Sequence, residues 1–237
     1  MRLSLSSDAY PAGGLDELTR AARRRALSGL ELRIGAGHGH DLDETLCTIR
    51  QQEGLDCLPG DHAPIEWLIP PRDVTLMMLM IWAGAADSIG AGLILEEPVS
   101  KPPAGVKVAL LHRNDPAEVE QAAAWARRHN AHTCWQVDPE LEVADVQPVL
   151  SVTMPSLAHV RLIGGGPEAD QSASPATGAL MGQLALAGYI GTISFVPSPG
   201  ADPEVWRRWL FEVRGWGCGT AAQKQARAEA LKQLEVL

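Results

Sequence analysis

The chain lacks a cysteine pair at close spacing. Its four cysteines, Cys47, Cys57, Cys134 and Cys218, are scattered and form no CxxC motif. That excludes a disulfide framework and fits reduced, mostly buried thiols in a cytosolic protein. A membrane-spanning run is missing too. The apolar stretch Val74 to Ala86 (VTLMMLMIWAGAA) is halted by Asp87, well short of the roughly 20 residues a spanning helix needs, and reads as a buried helix. The opening, MRLSLSSDAYPAGG, has no apolar run of the secretory-signal kind. Basic residues are outnumbered, 20 Lys and Arg against 29 Asp and Glu, for a net charge of -9. Such a surface repels phosphate backbones and argues against general nucleic-acid binding. A local basic pocket stays compatible with it.

What is present is 237 residues at 46% hydrophobic content, enough for one large domain of the size of a single α/β barrel. Short β-type runs alternate with helical patterns. Strands are predicted at Arg2 to Ser6, Leu30 to Ile34, Ile65 to Ile69, the GLILEEP stretch, Val106 to His112, His132 to Asp138, His159 to Ile163 and Thr192 to Val196. Helices are predicted over Gly14 to Gly29, from Asp43 to about Glu53, over Asp73 to Ile89, from Asp115-Pro116 through His129, over Ala179 to Ala187 and from Pro203 onward. Eight strands with intervening helices imply parallel pairing and a (β/α)8 TIM barrel. An open doubly wound sheet is the alternative, because periodicity does not distinguish closure.

Two crossovers look defective. PVSKPPAG, between strands four and five, is too short and too proline-rich for a helix. The link between strands six and seven is interrupted by Pro148 and Pro155. The barrel is therefore expected to be trimmed or irregular, with at least one crossover helix missing. Residues 1–219 form the barrel domain in this reading. Residues 220–237 form an amphipathic helix that packs on the barrel or on a partner, as in a homodimer. Trp67, Trp82, Trp125, Trp206 and Trp209 read as packing residues. Trp135 and Trp216 are placed to flank a ligand.

RLSLSSDAY followed by GLDELTRAARRRALSGLELRIG resembles the opening of a xylose isomerase-like TIM barrel. LAHVRLIGGGP and then LALAGYIGTISFV resemble the seventh and eighth strands of that superfamily, including its Gly-Tyr-x-Gly-x-Ile-Ser phrase. The resemblance covers most of the chain and is clearest at both ends. It implies sugar-phosphate isomerase or epimerase chemistry, with kinship to abasic-site endonucleases. It also implies a divalent metal held by Glu, Asp, His and Glu at the ends of strands five to eight, which polarises a carbonyl while carboxylates move a proton. Carried over one position at a time, those ligands fall on His112, Asp138, Arg161 and Val196. Only Asp138 keeps its type. Arginine stays protonated and valine has no donor atom, so the implied metal centre reads as degenerate.

Other candidates surround that position. His38 and His40, in GAGHGHDLD after strand two, sit where barrel active sites are built. With His112 and Asp138 they suit Zn2+ or Mn2+, or they contact substrate directly. Glu96 and Glu97 end strand four, and alternation turns one of them to the mouth. Glu97, with Asp138, is a proton-transfer candidate, and a solvent-facing pair is the plain alternative. Gly164, Gly165 and Gly166 follow strand seven beside Arg161 and can cradle a phosphate or carboxylate. The alternative is a turn with Arg161 paired to Asp138 or Glu168. Asp8 and Tyr10 follow strand one and line the mouth. The expected function is a cytoplasmic sugar, polyol or sugar-phosphate isomerase or epimerase. The alternative is a non-catalytic metabolite-binding or accessory protein that has lost the metal.

Overall fold

The computed structural model describes residues 2–9, 14–24, 27, 29–35, 64–72, 74–164 and 175–196. Eight strands close a barrel in chain order, each parallel to its neighbours, and β8 pairs back onto β1. They are β1 (Arg2–Ser6), β2 (Gly29–Arg33), β3 (Ile65–Ile69), β4 (Gly92–Leu95), β5 (Val108–His112), β6 (His132–Val137), β7 (Leu157–Ile163) and β8 (Thr192–Val196). Among the described residues the helices are α1 (Leu15–Arg24), α2 (Leu76–Ser88), α3 (Pro116–His129), α4 (Val143–Thr153) and α5 (Pro175–Leu186). The closed barrel bears out the expected fold. The helices predicted at 43–53, from Pro203 and over 220–237 lie outside the described residues, as do Trp206, Trp209 and Trp216.

The crossovers divide as their prolines dictate, with one exception. No helix forms between β4 and β5. Between β6 and β7, by contrast, α4 runs straight through Pro148, which corrects the expected break. The proline removes one backbone donor from the helix. Val146, Val149, Leu150 and Thr153 nevertheless present one buried face at helical spacing, and that burial holds the helix together. The chain turns at Met154, immediately before Pro155, where a proline commonly follows a helix end.

α3 carries the clearest local signals. Asp115 accepts hydrogen bonds from the N–H groups of Ala117 and Glu118, Pro116 occupies the first turn, and Asn130 closes the far end in the left-handed region. Replacing Asp115 with alanine is expected to lower stability by about 1 kcal/mol, measured by urea denaturation.

Strand alternation sorts the side chains. Leu5, Leu30, Leu93, Leu110, Trp135, Leu162 and Phe195 join the helices in the main core outside the barrel wall. Inside, the lumen is divided. Trp67, Ile69, Ile94, Ala109 and Cys134 pack as a separate apolar cluster, with Leu111 against it, on the side of β3 to β6. On the side of β1, β2, β7 and β8 the buried residues are mostly polar: Ser4, Ser6, Glu31, His159, Arg161, Thr192 and Ser194, with Ala158 and Val196 beside them. A barrel lumen filled evenly by branched aliphatics would be the ordinary solution. The polar half positions the site.

Candidate active site

β2 and β7 are not neighbours in the wall, so a contact between them crosses the lumen. Glu31 makes two such contacts and a third to β8, which is not a neighbour of β2 either. Its Oε1 accepts from Arg161 Nε at 3.0 Å, and its Oε2 lies 2.6 Å from His159 Nε2 and 2.7 Å from the donating Ser194 hydroxyl. Arg161, 1% exposed, also donates from Nη1 to Gln136 Oε1 at 2.6 Å and from Nη2 to the Asp8 carboxylate. Burial opposes charge on Glu31, but Arg161 and His159 more than offset it and hold the carboxyl far below its usual range. The guanidinium is locked in its charged form by Glu31 and Asp8, against the pull of burial.

The chain of charges continues outward. Arg33 Nε donates to Asp8 Oδ1 at 3.0 Å, Arg33 Nη2 to Glu96 Oε1 at 2.8 Å, and Arg72 Nε to Glu96 Oε2 at 2.6 Å. Glu31, Arg161, Asp8, Arg33, Glu96 and Arg72 thus alternate in sign from the barrel axis to the rim. Each residue lies at the C-terminal end of its strand or just beyond it, except Glu31 in mid-β2. Above them opens a cleft of about 450 Å3. Four arginines (Arg33, Arg72, Arg113, Arg161) and four carboxylates (Asp8, Glu96, Glu97, Glu118) line it, with Gln136.

The expected site residues are distributed as follows. Asp8, Glu97 and Arg161 meet in this cleft. Arg161 is paired, but to Glu31 and Asp8, in place of the Asp138 or Glu168 pairing considered from sequence. Asp138 follows Gln136 at the end of β6. Burial raises its carboxyl above the usual range, and Arg113 and Gln136 only partly oppose this. Gly164 donates its N–H to the Val196 carbonyl at 2.8 Å, so that group is already used. His112 does not face the mouth. It shares the outward parity of Leu110, stacks on Trp135 with ring centroids 6.4 Å apart, and turns Nδ1 to the Arg113 carbonyl at 2.9 Å. Trp135 points the same way and donates to Asn114 Oδ1 at 2.9 Å. His38, His40, Tyr10, Gly165 and Gly166 lie outside the described residues.

Glu31, Arg33, Arg72, Arg113, Gln136 and His159 were not singled out from sequence. A signal for two of them exists: Leu30-Glu31-Leu32-Arg33 alternates apolar and charged within a strand covered on both sides. Period-two polarity there places charge in the lumen.

A divalent ion does not fit the described residues. Of the four positions implied by resemblance, His112 turns outward, Arg161 brings its own positive charge, and Val196 has no donor. Among the described residues no group of three or more His, Cys, Asp or Glu side chains is arranged to hold a metal.

Two buried histidines give the fold an acid limit. Burial lowers both His112 and His159, and for His159 it outweighs the attraction of Glu31, whose charge Arg161 already balances. Both hold a proton less readily in the folded protein than in the unfolded chain, where they take up protons below about pH 6.5. The unfolded state then binds more protons, so stability falls as pH drops through that value, by up to about 1.4 kcal/mol per pH unit for each histidine. Melting temperature is expected to decline between about pH 7.5 and 5.5. A His112→Gln variant should show a shallower decline.

No family model matches the chain, and no curated protein matches it in sequence. Solved structures do. The 3-keto-D-glucoside 4-epimerase YcjR from E. coli is 15% identical, with a TM-score of 0.63 over 90% of this chain and 99% of its own. D-psicose 3-epimerase from Clostridium cellulolyticum H10, solved with D-tagatose, is 10% identical, with a TM-score of 0.62 over 92% and 98%. An L-ribulose 3-epimerase is 10% identical, with a TM-score of 0.58 over 98% and 97%. The chain therefore shares the closed eight-stranded parallel barrel fold of these sugar epimerases.

Proposed function

We propose that the chain binds a small sugar, polyol or sugar phosphate at the C-terminal mouth of its barrel and acts on it as an isomerase or epimerase. The observation that carries this reading is the cleft itself. Its wall alternates guanidinium donors with carboxylate acceptors, and a polyol offers both hydrogen-bonding senses on successive carbons. The shared fold with epimerases, one of them solved with D-tagatose, supports the same ligand class.

In this reading Glu97 and Asp138 move the proton. A base removes the C–H proton beside a carbonyl, the electron pair passes to the carbonyl oxygen, and a proton returns to the other face or the neighbouring carbon. Glu97 stands in the cleft wall as the base. Asp138, its carboxyl raised by burial, holds a proton more readily and suits the acid. Asp8 and Arg161 form the floor under the ligand. Tyr10 and Gly164 to Gly166 are the remaining ligand contacts in this reading. His38 and His40 are further candidates, for the substrate or for Zn2+ or Mn2+.

The second reading is a non-catalytic metabolite-binding or accessory protein. The engagement of Arg161 by Glu31 and Asp8 favours it, because it leaves less free charge to steady an enediolate. One experiment separates the two. Protein is incubated in D2O with a panel of ketoses, aldoses and their phosphates, and followed by thermal shift and proton NMR. Isomerase or epimerase action gives ligand-dependent stabilisation together with deuterium entry beside the carbonyl, both traced to the cleft by loss of exchange in Glu97→Gln. Stabilisation without exchange selects the second reading. No stabilisation by any panel member sinks both.

A further inference from the structure

We propose that the guanidinium of Arg161, one of the four positions at which the resemblance implies a metal ligand, is itself the resident cation of an oxygen cage at the barrel axis. The cage is built from three separate parts of the wall. Glu31 of β2 offers Oε1 at 3.0 Å, Gln136 of β6 offers Oε1 at 2.6 Å, and Asp8, just past β1, offers Oδ2. Arg161 reaches all three from β7. A planar five-donor fork meets several oxygens at once in fixed directions.

Three further observations agree. The guanidinium is buried, so its charge is matched by these oxygens and not by water. The remaining ladder carboxylate, Glu96, is held by Arg33 and Arg72. His159, the nearest imidazole, has Nε2 tied to Glu31 and Ser194. A second cation entering the cage would meet the guanidinium at hydrogen-bond range with little solvent to screen the repulsion. The cage oxygens are hard donors of the kind that hold Mg2+, Ca2+ or Mn2+. Removal of Arg161 is what would open the cage to such an ion. This inference does not depend on which ligand the cleft takes.

The test compares wild type, Arg161→Ala, Arg161→Lys, Glu31→Gln and the double variant Arg161→Ala/Glu31→Gln. Melting temperature is measured with EDTA, Mn2+ or low-millimolar methylguanidinium, and Mn2+ binding is measured from the loss of its free-ion EPR signal. Arg161→Ala is expected to melt lower than wild type and to recover with Mn2+ or methylguanidinium. It should bind Mn2+ at least tenfold tighter than wild type, and the added Glu31→Gln change should abolish that gain. Arg161→Lys keeps one charge but not the fork, and should melt between wild type and Arg161→Ala. If the alanine variant does not fold, the lysine variant and the wild type still decide the matter. Wild-type Mn2+ binding that disappears in Glu31→Gln overturns the proposal. So does a lysine variant as stable as wild type, or an alanine variant with neither rescue nor gained Mn2+ affinity.

Discussion

Glu31→Ala is expected to destabilise the protein by about 3–5 kcal/mol, because it strands a buried guanidinium without its main counter-charge. For a chain of this length that is a drop in melting temperature of roughly 10 °C. The reasoning starts from burial: Glu31 and Arg161 are both essentially inaccessible, so water cannot replace the lost partner. The same change removes the shared acceptor of His159 and Ser194, leaving the two side chains only each other, 3.0 Å apart. Asp8 and Gln136 would still hold Arg161, which caps the effect. A double-mutant cycle with Arg161→Met separates the pair from its surroundings. Removing both charges should cost less than the sum of the single changes, since neither charge is then left alone. Additivity within about 0.5 kcal/mol would show that the two side chains do not act as a pair.

Trp67→Ala is expected to be of similar size, about 3–5 kcal/mol, for a different reason. Trp67 fills the apolar half of the lumen. Its ring lies 5.3 Å from that of His159 and under the Lys107 ammonium at 4.7 Å. A Cβ added at Gly92 would come within 2.5 Å of its Cζ3 atom, so the absence of a side chain on β4 is what admits the indole. Truncation would leave a lumen cavity that the closed wall cannot collapse to fill. Gly92→Ala attacks the same contact from the other side and should cost about 1–3 kcal/mol by overpacking. If Trp67→Ala melts within a degree of wild type, the lumen is not packed around this residue.

The architecture was readable in the sequence because the strand runs are short, apolar and bounded by turn residues. The β4–β5 link was readable for the same reason, since PVSKPPAG cannot make a helix. α4 was not, because Pro148 is a strong local signal against a helix and the burial of Val146, Val149 and Leu150 that overrides it is tertiary. The cleft was legible at the strand ends, which pointed to Asp8 and Glu97, and at Arg161, a position carried by resemblance. Its organisation was not. Which carboxylate meets Arg161 depends on which residues face across a closed lumen, and closure cannot be read from periodicity. His112 illustrates the same limit: one step of strand parity turns it from the mouth to the helix layer, where it stacks on Trp135.

That barrel interior separates this chain from an ordinary aliphatic-filled one. A ladder of alternating charge engages Asp8 and Glu96, two of the four carboxylates that line the cleft. What is left to meet a ligand is a polar cleft with Glu97 in its wall and a fixed guanidinium in its floor.

The most direct measurement is a crystal structure of the wild-type protein grown with Mn2+, with anomalous data collected at the manganese edge. Arg161 should be found bridging Glu31, Asp8 and Gln136, with no anomalous peak within coordination distance of those oxygens. A manganese ion bound by Glu31 and Asp8, with Arg161 swung away, would contradict the account.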